Sequence, residues 1–325
     1  MPNKLAIALL ATAVAVGPFA VTGLNAQSFP SRAVELVVPW PAGGGSDSLM
    51  RMLAEAASGP MGQPVVVVNK PGAGGSLGLR EVAESPADGY TVGMIATGFI
   101  AGQYDNPNAP VLDDFRIIAY VGTDPAALSA SAASGITTLD EFVARASAAP
   151  GEIRNGNDQP GGSSYLAIAL MEATLGVEVN RVPYGGYAPT LQALLSGEVD
   201  TATVSVPDMA EHHRAGRVTI LAVAGDERHP DAPDVATFGE LGHALVTGTM
   251  RALVVPAGTP DDVAAALEAA FLAGLNDPAF QERATGAGFS LAPADAATAT
   301  EFVYGMDESM YPVLLNADLV RVRHK

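Results

Sequence analysis

Three glycine-rich segments are the parts of this chain best suited to chemistry. The first is Pro39-Trp40-Pro41-Ala42-Gly43-Gly44-Gly45-Ser46-Asp47. The second is Asn69-Lys70-Pro71-Gly72-Ala73-Gly74-Gly75-Ser76-Leu77-Gly78. The third is Asn155-Gly156-Asn157-Asp158-Gln159-Pro160-Gly161-Gly162-Ser163-Ser164. The first two leave a short apolar run, the third follows a short strand over 153–155, and all three enter a helical pattern. Glycine lets the backbone approach a ligand closely. The helix start beyond it offers unpaired N–H groups at the positive end of the dipole. The chemistry that results is capture of an anion by main-chain donors. The plainer reading of each segment is a turn with a cap: Ser46 or Asp47 could cap the first helix. Asn157, Ser163 and Ser164 could donate to a carboxylate or serve as caps in the same way.

Other chemistries fit these segments less well. No Gly-Lys-[Ser/Thr] closes the first, so it is not a phosphate loop of the Walker type. Gly74 to Gly78 spells Gly-x-Ser-x-Gly, the hydrolase elbow, with Ser76 as nucleophile. An elbow serine stands on a sharp turn straight off its strand, whereas seven residues separate Val68 from Ser76. A serine hydrolase acting through Ser76 is the lesser alternative. Gly72, Gly74 and Gly78 miss the dinucleotide fingerprint, because the last glycine falls one place late. His212, His213, His229, His243 and His324 lack metal-ligand spacing. Neither a metal nor a cofactor is expected, and the carboxylates show no pairing for acid–base work. The chain has no cysteine, which removes thiolate chemistry, disulfides, zinc–thiolate sites and a cysteine lipid anchor.

The elements that must position these segments alternate between strand and helix. Val34 to Val38 is short and β-branched, and reads as a buried strand. A helix from Ser46 to about Ser58 puts Leu49, Met52, Leu53 and Ala56 on one face, with Gly59-Pro60 as its stop. Val65–Val68 and Thr91–Ala96 follow as strands, with a helix ending near Glu84 between them. The middle of the chain repeats the theme, with helices over 139–149, 163–175 and 189–195 and strands over 179–182, 202–206 and 218–223. A strand over 252–255, a helix over 261–275 and an amphipathic helix over 295–315 complete the pattern. Such alternation predicts α/β architecture with a mostly parallel sheet. In open sheets of this kind ligands bind beyond the carboxyl ends of the strands, which is where the glycine-rich segments fall.

Compartment and charge narrow the partners. Residues 1–26 carry Lys4, an apolar run from Leu5 to Val16 and a small-residue exit at Asn25-Ala26, the pattern of a secretory signal. The expected fate is export. The remaining length suits two domains and needs no disulfide staples. A formal charge of −18 repels nucleic acid and anionic lipid at long range, so neither is expected as a partner. A shielded cleft of oriented N–H groups can still hold an anion.

Taken in order, these segments resemble the substrate-binding proteins of tripartite tricarboxylate transporters, the Bug-type periplasmic receptors. The resemblance covers nearly the whole chain after the leader. It rests on Phe29-Pro30-Ser31-Arg32, Val37 to Asp47, Gly62-Gln63-Pro64, Asn69 to Gly75, Asp88-Gly89-Tyr90-Thr91, Val182-Pro183-Tyr184-Gly185-Gly186, Ala215-Gly216-Arg217-Val218 and Pro256 to Pro260. It implies a type II periplasmic-binding-protein fold, with one domain over 27–125 and 249–325, another over 126–248, and a hinge between them. It implies a small carboxylate ligand, delivery to membrane permease subunits, a monomer and no catalysis. A sensing component without transport is the alternative of the same fold.

Carried onto this chain, the first-loop binding positions are Pro41, Ala42, Gly43, Gly44, Ser46 and Asp47, with Thr97 or Gly98 after the third strand. The second domain would contribute Asn157, Gly161, Ser163 and Tyr184, with Ser205 or Asp208. Asn157, Asp158 and Gln159 stand where Ser, Ser and Gly are usual, and Tyr165 where His is common. Thr247-Gly248-Thr249-Met250-Arg251 replaces a stretch that usually carries an aromatic and Gly. Arg251 could meet a second carboxylate of a diacid, or pair with an acid of its own chain.

Overall fold

The computed structural model describes residues 29–316 and 319–323, so the leader over 1–26 and His324 lie outside the described residues. The first domain begins with β1 (Val34–Val38), α1 (Gly45–Met61), β2 (Val65–Asn69), α2 (Ser76–Glu84), β3 (Thr91–Ala96) and α3 (Thr97–Asp105). β2, β1 and β3 run parallel. Every β1 side chain except Glu35 is buried, as expected for a strand covered on both faces. One face packs Leu36 and Val38 against Leu49, Leu53 and Ala57 of α1; the other packs Val37 against Leu79, Val82 and Ile95.

α1 passes the expected stop. Pro60 lies inside its last turn, and the helix ends at Gly62, whose left-handed backbone (φ 70°) donates its N–H to the Gly59 carbonyl. A proline so close to the end removes one helical hydrogen bond without breaking the helix, and the glycine cap sets the boundary.

A 17-residue strand, β4 (Phe115–Ser131), then crosses the whole molecule. Gly122 and Pro125 interrupt its sequence pattern, which hides it from a reading by periodicity. Its first part, Phe115 to Pro125, runs antiparallel to β9 (Gly248–Pro256). From Ala126 on, it pairs instead with β7 (Thr201–Ser205) and β8 (Val218–Val223). Around it the second domain adds α4 (Leu139–Ala148), β5 (Arg154–Asp158), α5 (Ser163–Leu175), β6 (Asn180–Tyr184), α6 (Tyr187–Ser196) and α7 (Val206–Arg214). β5 runs parallel to β6 and β7. The chain returns through β9 to the first domain, where α8 (Asp261–Leu275), α9 (Pro278–Gly286) and α10 (Ala296–Asn316) close it.

The sheet order is β2-β1-β3-β9-β4-β7-β5-β6, with β8 on β4. The sheet is therefore mixed, because the two crossing strands β4 and β9 run antiparallel to their neighbours. Separate apolar cores form on either side of the crossing. Leu36, Leu53, Leu253 and Phe271 belong to one, and Leu128, Phe142, Ile168 and Phe238 to another. Two α/β domains joined by shared strands make a type II periplasmic-binding-protein fold. No helix among the described residues is long and apolar enough to cross a membrane.

Candidate functional site

The starts of three helices converge on one gap of about 440 Å³, counting its open mouth. Gly44 and Gly45 bring α1, Ser163 brings α5, and Gly186 with Tyr187 brings α6; Trp40, Pro41 and Thr249 fill in the walls. The entry residues Gly44, Gly162 and Gly186 carry no side-chain cap. α4 and α9, which do not line the gap, are capped by Thr138 and Asp277. A helix start without a cap residue of its own presents N–H donors and a positive dipole end to whatever enters, although in α5 the Ser164 N–H is already taken by Asp158.

The first loop is fixed by Asp47. Its carboxylate accepts from Gly43 N at 3.0 Å, from Arg51 Nε at 3.1 Å and from Asn69 Nδ2 at 2.9 Å. Burial alone would raise the pKa of Asp47; the bonds from Arg51, Gly43 and Asn69 outweigh it and hold the group below the usual carboxylate range. Asp47 is thus an ionised brace, with its side chain turned toward its own domain.

Two carboxylates from the second domain already approach the helix starts. Asp158 lines the gap and accepts from Ser164 N at 3.2 Å, while its Oδ1 has no partner. Burial pushes Asp158 up to about 6, against the opposing pull of Ser164. Asp208 lies against the first residue of α1: a Cβ on Gly45 would meet its carboxylate oxygens at 3.1 and 3.3 Å. Burial pushes Asp208 up to about 7, although Arg251 draws it down. Its Oδ2 is buried and unpartnered. Tyr187 sits among Asp158, Asp208 and Arg251; burial and then Asp158 raise its phenol, which shares a 2.7 Å hydrogen bond with Thr249 Oγ1.

Arg251 is buried to 1% exposure and pairs with fully buried Asp124. It also donates from Nε to Ser46 Oγ at 3.1 Å and from Nη1 to the Thr249 carbonyl at 3.4 Å. Its Nη2 has no partner. Asp124 accepts in addition from Ser290 N at 2.7 Å. The arginine therefore has an acid of its own chain as partner and still holds one free donor group beside Ser46.

The sequence-derived positions separate into groups. Pro41, Gly44, Ser46, Asp47 and Ser163 line the gap. Ala42 and Gly43 stand exposed on the same loop. Thr97 and Gly98 open α3, where Gly98 N donates to Ser163 Oγ across the two domains at 3.0 Å. Thr97 Oγ1 accepts from Met250 N at 2.9 Å. Gly161 packs against the backbone of Gly74 and Gly102. Ser205 reaches Thr249 Oγ1 at 3.4 Å, behind the gap. Asn157 turns its amide to the Asn155 carbonyl at 2.8 Å, and Tyr184 donates to Glu198 at 2.8 Å; neither lines the gap.

Asp158, Gly186, Tyr187, Thr249 and Asp124 emerge only from the structure. The Gly185-Gly186 pair ahead of a helix is the one sequence signal that could have flagged α6. Ser76 is buried at the start of α2, where its Oγ accepts from Asn106 Nδ2 at 3.3 Å, a tie between helices in place of a nucleophile–base pair. Among the described residues no group of three or more His, Cys, Asp or Glu could hold a metal.

Comparison with known proteins agrees with this geometry. The profile of the tripartite tricarboxylate transporter family receptor matches residues 49–313. The protein BugT of Bordetella pertussis is 33% identical over 241 residues, covering 73% of this chain and 74% of BugT. The periplasmic binding protein BugD superposes with a TM-score of 0.85 at 30% identity, covering 90% of this chain and 99% of BugD. MatC of Rhodopseudomonas palustris, solved with bound malate, superposes with a TM-score of 0.81 at 28% identity, covering 90% of this chain and 100% of MatC. The chain belongs to the tripartite tricarboxylate transporter receptor family, periplasmic solute-binding proteins that bind a small organic acid and deliver it to a transporter.

Proposed function

We propose that this receptor closes on a small carboxylate in the gap between α1, α5 and α6 and hands it to its membrane permease subunits. The observation that carries the reading is the convergence of three helix starts, each entered through an uncapped glycine, on one cleft. The similarity to MatC, solved with malate, supports a ligand of that size and charge. The residues we assign to contact are Pro41, Gly44, Ser46, Ser163 and the Gly186–Tyr187 start of α6. Thr97 and Gly98 act as the seam across which the domains meet.

The two lobes comprise 27–125 with 249–325, and 126–248. β4 changes partners at Pro125/Ala126 and β9 begins at Gly248, which supports bending at these points. A ligand carboxylate that bonds to both lobes favours the closed form through differential affinity. Removal of residues 1–26 on export leaves the working protein. Thermal unfolding in the presence of a panel of mono-, di- and tricarboxylates tests the reading: a specific acid at about a hundredfold excess over its Kd adds about 2.7 kcal/mol of stability. A flat response across the whole panel overturns it.

A further inference from the structure

We propose that the contact between α3 and the loop ahead of α5 is a latch that draws the two lobes together without help from a ligand, and that Gly74 and Gly98 are the positioning residues that let it shut. The inference rests on the two-lobe reading above and concerns a contact outside the gap: Gly74, Gly98 and the facing Gly161 are not among its walls. A Cβ on Gly98 would stand 2.5 Å from the Gly161 carbonyl oxygen, the Gly162 carbonyl carbon and Ser163 N, all of the opposite lobe. A Cβ on Gly74 would stand 2.6 Å from the Pro160 carbonyl oxygen, again across the lobes. Non-bonded heavy atoms settle at about 3.5–4.0 Å, so only glycine lets two backbones come this close. The approach also brings Gly98 N within 3.0 Å of Ser163 Oγ, to which it donates.

Apolar burial adds to the contact. Ala101 and Tyr104 of α3 share one cluster with Leu166 and Ala169 of α5, joined by Leu319 near the chain end. That end is strapped to the first lobe, because Arg323 donates to the carbonyls of Gln103 and Ala109 at 2.6 and 2.9 Å. Leu319 therefore moves with α3 and lines a small hollow with Leu166 of the other lobe. Burying such side chains favours association by itself, so closure gains free energy from groups outside the gap. A ligand that needs the closed form then binds with an apparent affinity scaled by the fraction already closed. Gly98 lies within α3, where alanine suits the backbone. A methyl group there obstructs the opposite lobe and spares its own. Gly102, one turn further along α3, has ordinary clearance, with a Cβ meeting Gly161 Cα at 3.6 Å.

The chain has no cysteine, so Ser48→Cys on α1 and Gln192→Cys on α6, both exposed, accept a pair of spin labels that report the distance between the lobes. Without any acid, the labelled protein is expected to show a shorter component of about 10% or more beside the open one. Gly98→Ala should remove that component, and Leu319→Ala should reduce it, with each melting curve checked for folding. Calorimetry with succinate, L-malate and citrate should show affinity about tenfold weaker in Gly98→Ala and within about twofold of the unaltered protein in Gly102→Ala. A single long distance in the acid-free protein overturns the latch, a measurement that needs neither alanine variant to fold. Gly98→Ala that keeps the short component and its affinity overturns the positioning role. Gly102→Ala as damaging as Gly98→Ala overturns the assignment to backbone approach. Failure of every acid to bind overturns the carboxylate reading, while the acid-free distances still decide the latch.

Discussion

The first two glycine-rich loops look alike in sequence and do different work. Both leave a parallel strand, β1 or β2, and both enter a helix, α1 or α2. In the first, Gly44 has open space where a Cβ would stand, and the loop lines the gap. In the second the glycines are crowded. A Cβ on Gly78 would collide with the Lys70 carbonyl, and one on Gly75 would press on the Trp40 ring at 3.3 Å. The same residue type thus leaves open space in one loop and permits close backbone packing in the other. The packing partner decides between them, and no local pattern records it.

Asp47 joins the two loops, so its loss is expected to disturb both. Asp47→Ala removes the acceptor shared by Gly43 N, Arg51 and Asn69, leaving only the Asn69–Trp40 and Arg51–Asn69 bonds to tie the loops, and should cost about 3 kcal/mol in urea unfolding together with a weaker ligand response. The ionised form of Asp47 is favoured in the folded chain. Its contribution is therefore present above the ordinary carboxylate pKa and is lost as pH falls through its lowered value.

Separating the loops requires substitutions that affect one at a time. Gly78→Ala should lower stability by about 2 kcal/mol through overpacking against Lys70, with ligand affinity unchanged within about twofold. Gly44→Ala should do the reverse. Its backbone is extended (φ −86°, ψ 170°), so alanine is tolerated there, but the methyl group enters the gap. Affinity measured by calorimetry should drop about tenfold, while stability falls by about 1 kcal/mol or less. Equal effects of the two substitutions on affinity would erase the distinction between the loops.

The smallest effect concerns what faces the first loop. The acid form of Asp208 is favoured in the folded chain because burial raises its pKa to about 7. The unfolded chain loses that proton near 3.8, so stability contributed at Asp208 declines as pH rises between these values and levels off above them. Asp208→Asn should flatten that slope and raise the melting temperature at pH 8 by about 2–4 °C. A slope that persists unchanged would place the titration elsewhere.

Much of the architecture was legible because it rests on local rules. β1 and β3 were evident as short runs of buried β-branched and apolar residues, and α8 as a run following Pro260. The resemblance carried by Val37–Asp47, Asn69–Gly75 and Val182–Gly186 led to the family that the comparisons then showed. β4 was not legible, because Gly122 and Pro125 break its pattern. It persists as a strand because β9 on one side, and β7 and β8 on the other, supply its hydrogen bonds.

The site divides along the same line. Sequence by itself determined that glycine-rich segments precede helices, that cysteine chemistry is absent, and that the chain alternates strand with helix; each depends only on residue type and near neighbours. Only the tertiary structure decided which helix starts share a gap, that Asn157 and Tyr184 turn away from it, that Asp158 stands at its wall, and that Asp208 lies against Gly45 at the start of α1. Asp124 and Arg251 are 127 residues apart in sequence, yet they form a buried pair where β4 meets β9. A pairing of that kind is set by how two strands cross, and the chain on either side of each residue holds no trace of it.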